Sequence, residues 1–282
     1  MYVKNIPTYP PADFADNIPV LYAPLKPYVT HVAPLMLEHI WLLKQNNRTT
    51  FFEELMYSGW ICRLITLDKR VLDFNQQNEI IGWPEIRDKL IYYLDQCEDN
   101  KEIPTMLKNC MSVIDPILRT RFKENYHFPK RDFHCWWYTI HEDDTYLALH
   151  LVNAYQPQSP FDNLPHFIIT MLTAVEHAVS IYPNIKKVSC GSWLNNVERF
   201  QNLWPASFKQ NQKILNVTGG FGPGVWGQYM TTDGGFNQSK AAILRASGGH
   251  PFPLNEAESN IDEVIEHLKK ACAAANSIKG NE

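Results

Sequence analysis

Lys186-Lys187-Val188-Ser189-Cys190-Gly191-Ser192-Trp193-Leu194-Asn195-Asn196-Val197-Glu198-Arg199-Phe200-Gln201-Asn202-Leu203-Trp204 is the stretch whose reading decides the fold. Its first part reads as a short strand that ends in a glycine turn. From Ser192 onward, apolar residues at 193, 194, 197, 200, 203 and 204 keep helical spacing, with Ser192 at the N-cap. A strand running into a helix N-terminus presents unpaired backbone N–H groups. Such a place suits a phosphate, a carboxylate or a developing oxyanion, so a site is expected here.

Upstream, His134 to His141 is rich in β-formers, and Thr145 to Val152 alternates cleanly. With the turn Glu142-Asp143-Asp144 between them, the two segments read as a hairpin. Leu147, Leu149 and Leu151 share one face; Tyr146, Ala148, His150 and Val152 share the other. One register sets His150 opposite Trp137, on a face with Cys135, Thr139 and His141. The alternative register sets it opposite Trp136. A long helix is expected over 165–182, with Phe167, Ile168, Met171, Leu172, Val175 and Ala178 inward. Downstream, strands are expected over 213–217 and 225–232, a helix over 237–246 stopped by Gly248-Gly249, and a last helix over 260–276 capped by Ser259 or Asn260.

Before residue 125 the pattern is helical. One stripe is Val32, Leu35, Met36, His39, Ile40 and Leu43, and an apolar stretch runs from Phe51 to Leu67. A helix opens at Trp83-Pro84, and another over 106–118 is expected to end near Asp115-Pro116. Residues 1–27 are Pro-rich and read as extended. The fold class is therefore α+β or α/β. A helical region, 1–124, precedes an α/β domain, 125–282, whose mixed sheet is flanked by helices.

Apolar residues make up 45% of the 282, which marks a globular chain with a sizeable core. The net charge of −4 speaks against a nucleic-acid partner held by counterion release. No signal peptide and no window of about 18 apolar residues is read in the sequence, so a cytoplasmic protein with no membrane partner is expected. The 6 cysteines are scattered without C-x-x-C, which fits reduced thiols better than disulfides or zinc. The 8 Trp and 13 Tyr are enough to line an aromatic pocket for an organic ligand.

His150, mid-strand among apolar neighbours, needs a hydrogen-bond partner and is the candidate general base. His134, His141 and His150 are the alternative metal ligands, although a regular strand sends His134 and His141 to opposite sides. Cys190-Gly191-Ser192 does not match the hydrolase elbow, because Leu194 stands where its second glycine belongs. Residues 219–224 are glycine-rich but match neither G-x-G-x-x-G nor a P-loop. They read as a connector or as a loop closing over ligand, with Trp226 and Gln228 as contacts. Arg245 either complements a helix C-terminus or binds a substrate carboxylate or phosphate.

Several pieces in this order resemble the C-terminal domain of GNAT-like acyltransferases. They are Leu149-His150-Leu151 on a strand, a Pro-containing loop, a long helix, Tyr182-Pro183, a strand ending at Cys190, and Ser192-Trp193-Leu194 opening a helix. Ala241 to His250 is loosely similar to the family's C-terminal helix and glycine stop. The resemblance covers about residues 125–270. It implies acyl transfer to an amine or hydroxyl acceptor, with His150 as base, Ser192 supplying amides, Trp193 shaping the pocket, and acyl-CoA as the donor. The family's Q/R-x-x-G-x-G/A turn for the CoA pyrophosphate is missing from this sequence.

Three functions are thus expected in competition. The first is acyl transfer, with His150 and Ser192 catalytic and Trp137, Cys190, Trp193, Trp226, Gln228 and Arg245 binding substrate. The second is a metal or haem enzyme acting on an aromatic or polyketide-like metabolite. The third is a non-catalytic binding or assembly protein. The partners expected are a small-molecule substrate and a second copy of the chain as a homodimer. The first reading requires the amides at Ser192 and the imidazole of His150 to converge on one hollow.

Overall fold

The computed structural model describes residues 31–46, 82–125, 133–141, 144–215, 223–233 and 235–279. The chain divides into two compact units. One comprises Met1–Pro10, His127–Leu215 and Phe252–Glu282; the other comprises Pro11–Tyr126 and Asn216–Pro251. The architecture is mixed α+β.

The helical unit contains α1 (Ala33–Gln45), α2 (Trp83–Asp95) and α3 (Ile103–Asn125). Pro34 and Pro84 sit in the first turns of α1 and α2, where a missing N–H costs nothing. Gly82, which precedes α2, has φ 83, a left-handed conformation that glycine adopts freely. Helix α3 does not stop at Asp115-Pro116; it continues to Asn125 with Pro116 inside. Met106, Cys110 and Ile114 form a buried stripe at spacing four, so packing holds the turn despite the lost hydrogen bond.

Residues 223–251 also belong to this helical unit, whereas the sequence pattern placed them in the α/β part. The strand expected over 225–232 is instead α7 (Pro223–Trp226) followed by a 3₁₀ turn, Gly227–Tyr229. Val225, Trp226 and Tyr229 are all buried, at helical rather than alternating spacing. Trp226 and Tyr229 join the core that holds α1, α2 and α3. Helix α8 (Gln238–Ser247) follows as expected. It is capped by the Asn237 side chain, which accepts the Lys240 N–H at 3.1 Å, and ends at left-handed Gly248. The apolar stretch 51–67 and residues 1–27 lie outside the described residues.

The α/β unit is built on β1 (Trp136–Ile140), β2 (Tyr146–Leu151), β3 (Lys187–Ser192), β4 (Lys213–Ile214) and β5 (Asn255–Asn260). The sheet order is β1-β2-β3-β5-β4. Strands β1 and β2 form the expected hairpin in the first of the two registers, with Trp137 opposite His150. Helix α4 (Leu164–Ile181) carries the chain from β2 to parallel β3. Helix α9 (Ile261–Lys279) leaves β5, and the Asn260 side chain accepts the Asp262 N–H at 2.9 Å. Both helices pack on the same sheet face. Leu147, Leu149, Val188, Cys190 and Ala257 form one apolar cluster with Phe167, Met171 and Val175 of α4 and Val264 and Leu268 of α9. Trp137, Tyr146 and Ala148, on the opposite face, are outside this cluster.

The 22 residues Pro160–Ile181, a 3₁₀ turn plus α4, are long and apolar enough to cross a bilayer by length and composition. This corrects the expectation that no such window exists. Core helices pass the same test, and Phe167, Met171, Ala174, Val175 and Ala178 of α4 are fully buried in the cluster.

Leu268 is fully buried and Ile181, in the same unit, is 52% exposed. Leu268→Ala is expected to lower unfolding free energy by about 2–5 kcal/mol in chemical denaturation. Ile181→Ala is expected to change it by about 0.5 kcal/mol or less.

Candidate functional site

The parallel pair β2–β3 carries the feature of most chemical interest. Its ladder joins Tyr146 to Lys187, Leu147 to Val188 and Ala148 to Ser189, and then stops. Both strands continue, β2 to Leu151 and β3 to Ser192. Over those last residues β2 stays paired only with β1, and β3 only with β5. Two facing strand ends thus run on without a ladder between them. The carboxyl ends of parallel strands are a common place for ligands in α/β sheets.

Strand alternation fixes what these ends present. The Ala148–Ser189 register puts His150 and Gly191 on the face away from α4 and α9. Trp137 and Thr139 come to the same face from β1, and Glu256 and Glu258 from β5. The His150 ring stacks on Trp137 with centroids 5.3 Å apart. A 2.9 Å hydrogen bond links His150 Nε2 to Thr139 Oγ1. Burial lowers the imidazole pKa to about 4, so the ring is neutral at physiological pH. In the adjoining rows, Tyr146 Oη donates to Glu258 Oε2 at 3.2 Å and Lys187 Nζ donates to Glu258 Oε1 at 2.6 Å. The Lys187 bond holds the Glu258 carboxyl below the usual carboxylate range.

Ser192 goes to the other side. It follows Gly191 in an extended backbone, so its side chain alternates to the face of Val188 and Cys190, toward the helices. Its hydroxyl accepts the Leu194 N–H at 3.1 Å and caps a 3₁₀ turn, Trp193–Asn196. The single helix expected after Ser192 is instead this turn plus α5 (Glu198–Gln201), interrupted by extended Val197. Such short turns sum few peptide dipoles. The convergence of Ser192 and His150 on one hollow is therefore corrected: the sheet stands between them.

A fold-making role explains the local sequence better. Asn195, fully buried, donates through Nδ2 to the carbonyls of Cys190 and Asn255, both at 2.8 Å. Its backbone carbonyl accepts from the Gln201 and Gln212 side chains at 2.6 and 3.1 Å. This amide hub ties the turn to β3 and β5. Trp193 stacks on Phe252 at 5.8 Å.

The other expected contacts also have structural occupations. Cys190 is buried in the apolar cluster, and burial pushes its thiol up to about 12. Trp226 and Gln228 are buried in the helical unit, where Gln228 Nε2 donates to the Val225 carbonyl at 2.9 Å. Arg245 holds Glu38 bidentately, Nε to Oε1 at 2.7 Å and Nη2 to Oε2 at 2.8 Å. A small groove of about 100 Å³ lies against Arg245, Leu42, Asn46 and Gly248; the ion pair with Glu38 occupies its only described charge.

The three histidines weighed as metal ligands have different neighbours. His134, with φ 59, stands 4.4 Å from the Tyr155 ring and 5.0 Å from His166. His141 stands 4.7 Å from Tyr146, and His150 stacks on Trp137. Among the described residues, no group of three or more His, Cys, Asp or Glu side chains is placed to hold a metal ion. The His134–His141–His150 metal set is corrected accordingly.

Two contributors were missed in the sequence. One is β5, whose Glu256 and Glu258 reach the His150 face. Its alternation of buried Asn255, Ala257 and Ser259 with half-buried glutamates is the signal that could have shown it. The other is Gly191 as a bare position on that face. No family model, curated protein or solved structure matches this chain.

Two outcomes follow from these environments. The His150 resonance should titrate near pH 4 by NMR, not near 6.5. Its folded pKa lies below its unfolded one, so the unfolded chain takes up the proton first. Stability is therefore expected to fall as pH drops from about 6.5 toward 4, with a shallower slope in His150→Gln. Separately, Cys190 should resist alkylation at pH 8 in the folded protein and react once the chain is denatured, as read by peptide mass spectrometry.

Proposed function

We propose that the α/β unit transfers an acyl group to an amine or hydroxyl acceptor on the sheet face of Trp137, Thr139 and His150, with His150 accepting the acceptor's proton. The observation that carries this reading is the unladdered end of the β2–β3 pair, where a neutral imidazole on one strand and bare Gly191 on the other share a sheet face. Its stack on Trp137 and bond to Thr139 hold the neutral ring in one orientation; with a pKa lowered to about 4 it is a weak base that takes the proton only as acyl transfer proceeds. Direct attack by a bound acceptor on a bound acyl donor needs no protein nucleophile. That suits a site from which Ser192 and Cys190 are both turned away.

The likeness to GNAT-like acyltransferases supports the reading over the strand–helix–strand unit β2–α4–β3. It does not extend to Ala241–His250, which belongs to the helical unit. Acyl-CoA is the donor proposed, a small-molecule acceptor the partner, and the cytoplasm the location. The buried free thiols Cys97, Cys110, Cys135 and Cys190 suit a reducing compartment.

A second reading, a binding or assembly protein without catalysis, is favoured by one observation. Ser192, Cys190 and Arg245 are all engaged in holding the fold, so none of these three supplies an oxyanion cradle to His150.

The two readings separate in one assay. The protein is incubated with acyl-CoA thioesters and a panel of amines and alcohols, and free thiol is followed. Acyl transfer predicts turnover that His150→Ala lowers by about 10²–10⁴-fold in kcat/KM. Thioester binding by calorimetry with no turnover of any acceptor would favour the second reading.

A further inference from the structure

We infer that Gly191 sets the size of the acyl group, and that the group accepted is larger than acetyl. This rests on the acyl-transfer reading of the same face. A glycine inside a strand weakens it, because it loses more conformational freedom on folding and packs no side chain. Two structural needs commonly explain such a glycine, a left-handed backbone or a close approach by a neighbour. Neither holds here. Gly191 is not among the positive-φ glycines, and it pairs regularly with Glu256 of β5. A Cβ built on it meets nothing within 4 Å among the described residues.

A strand glycine is also found where a ligand lies close against the backbone. The neighbours say what would fit. On the same sheet face His150 stacks on Trp137. In the next row are Ala148 and Ser189, a methyl group and a buried hydroxyl. The β2–β3 ladder has ended just before, so no ladder hydrogen bond ties the two strand ends together here. A bare floor beside a flat ring wall takes a chain or ring that lies along the strand. An acetyl group would leave most of that floor uncovered. The acyl carbon of the donor would stand at His150, with the rest of the acyl group over Gly191.

The test compares wild type with Gly191→Ala, Gly191→Val and Gly191→Leu, using acetyl-, butyryl-, hexanoyl- and benzoyl-CoA. The backbone is unstrained and no described residue lies within 4 Å of an added Cβ, so all three variants are expected to fold, with melting temperatures close to wild type. Wild type is expected to prefer the larger acyl groups. Gly191→Val and Gly191→Leu are expected to lose about tenfold or more in kcat/KM for hexanoyl and benzoyl donors. The loss should lie mainly in KM, and the ratio of acetyl to hexanoyl kcat/KM should rise about tenfold or more. Gly191→Ala should fall between. Acetyl transfer with the same acyl preference in every variant would overturn the inference while leaving the acyl-transfer reading in place. No transfer from any donor would overturn both.

Discussion

One asymmetry governs the α/β unit: α4 and α9 both cover the same face of a five-stranded sheet. Strand alternation turns that into a rule for every residue. Leu147, Leu149, Val188, Cys190 and Ala257 go beneath the helices, and each contributes apolar burial worth about 25 cal/mol per Å². Their alternates, Ala148, His150, Ser189, Gly191 and Glu256, go to the opposite face by the same geometry. The core thus chooses which side chains are left to do chemistry. Cys190 and Gly191 are neighbours in sequence, yet one is a core thiol beneath the helices and the other a bare spot on the opposite face.

The sheet also has one place where its pairing is incomplete. The hairpin β1–β2 and the antiparallel β3–β5 pair are held along their lengths, while the parallel β2–β3 pair is held only at its start. The Asn195 hub, bonded to Cys190 and Asn255, fixes the end of β3 against β5. Removing its amide would leave two carbonyls without that donor, each at a cost of about 1–3 kcal/mol. Strand β3 stays paired with β5 through Ser192 where its ladder with β2 has already ended. A site built between two separately anchored strand ends is positioned by the scaffold, not by a loop.

Much of this was legible in the sequence, for identifiable reasons. Leucines at 147, 149 and 151 alternate cleanly, so the hairpin and its inward face could be read directly. The stripes of α1, α4 and α9 repeat at helical spacing and gave those helices. Strand β5 was illegible because Ala257 is the only apolar residue among Asn, Glu and Ser; polar Asn255 and Ser259 fill its buried positions. Residues 225–232 look β-prone by composition, but Trp226 and Tyr229 are buried from one helical turn to the next. The pairing of His150 with Ser192 failed for a different reason. Their relative face depends on the register of a parallel pair whose crossover is a long helix, and no turn sets that register. A shift of one residue exchanges the faces.

The most direct test is an NMR titration of the labelled protein with hexanoyl-CoA. The amides of Ala148, His150 and Gly191 and the Trp137 indole should shift together and saturably, while those of Val264 and Leu268 beneath the opposite face stay in place. Shifts confined to the helical unit or to the α4–α9 side, with Gly191 and Trp137 unmoved at saturation, would contradict a ligand site on the face that carries His150.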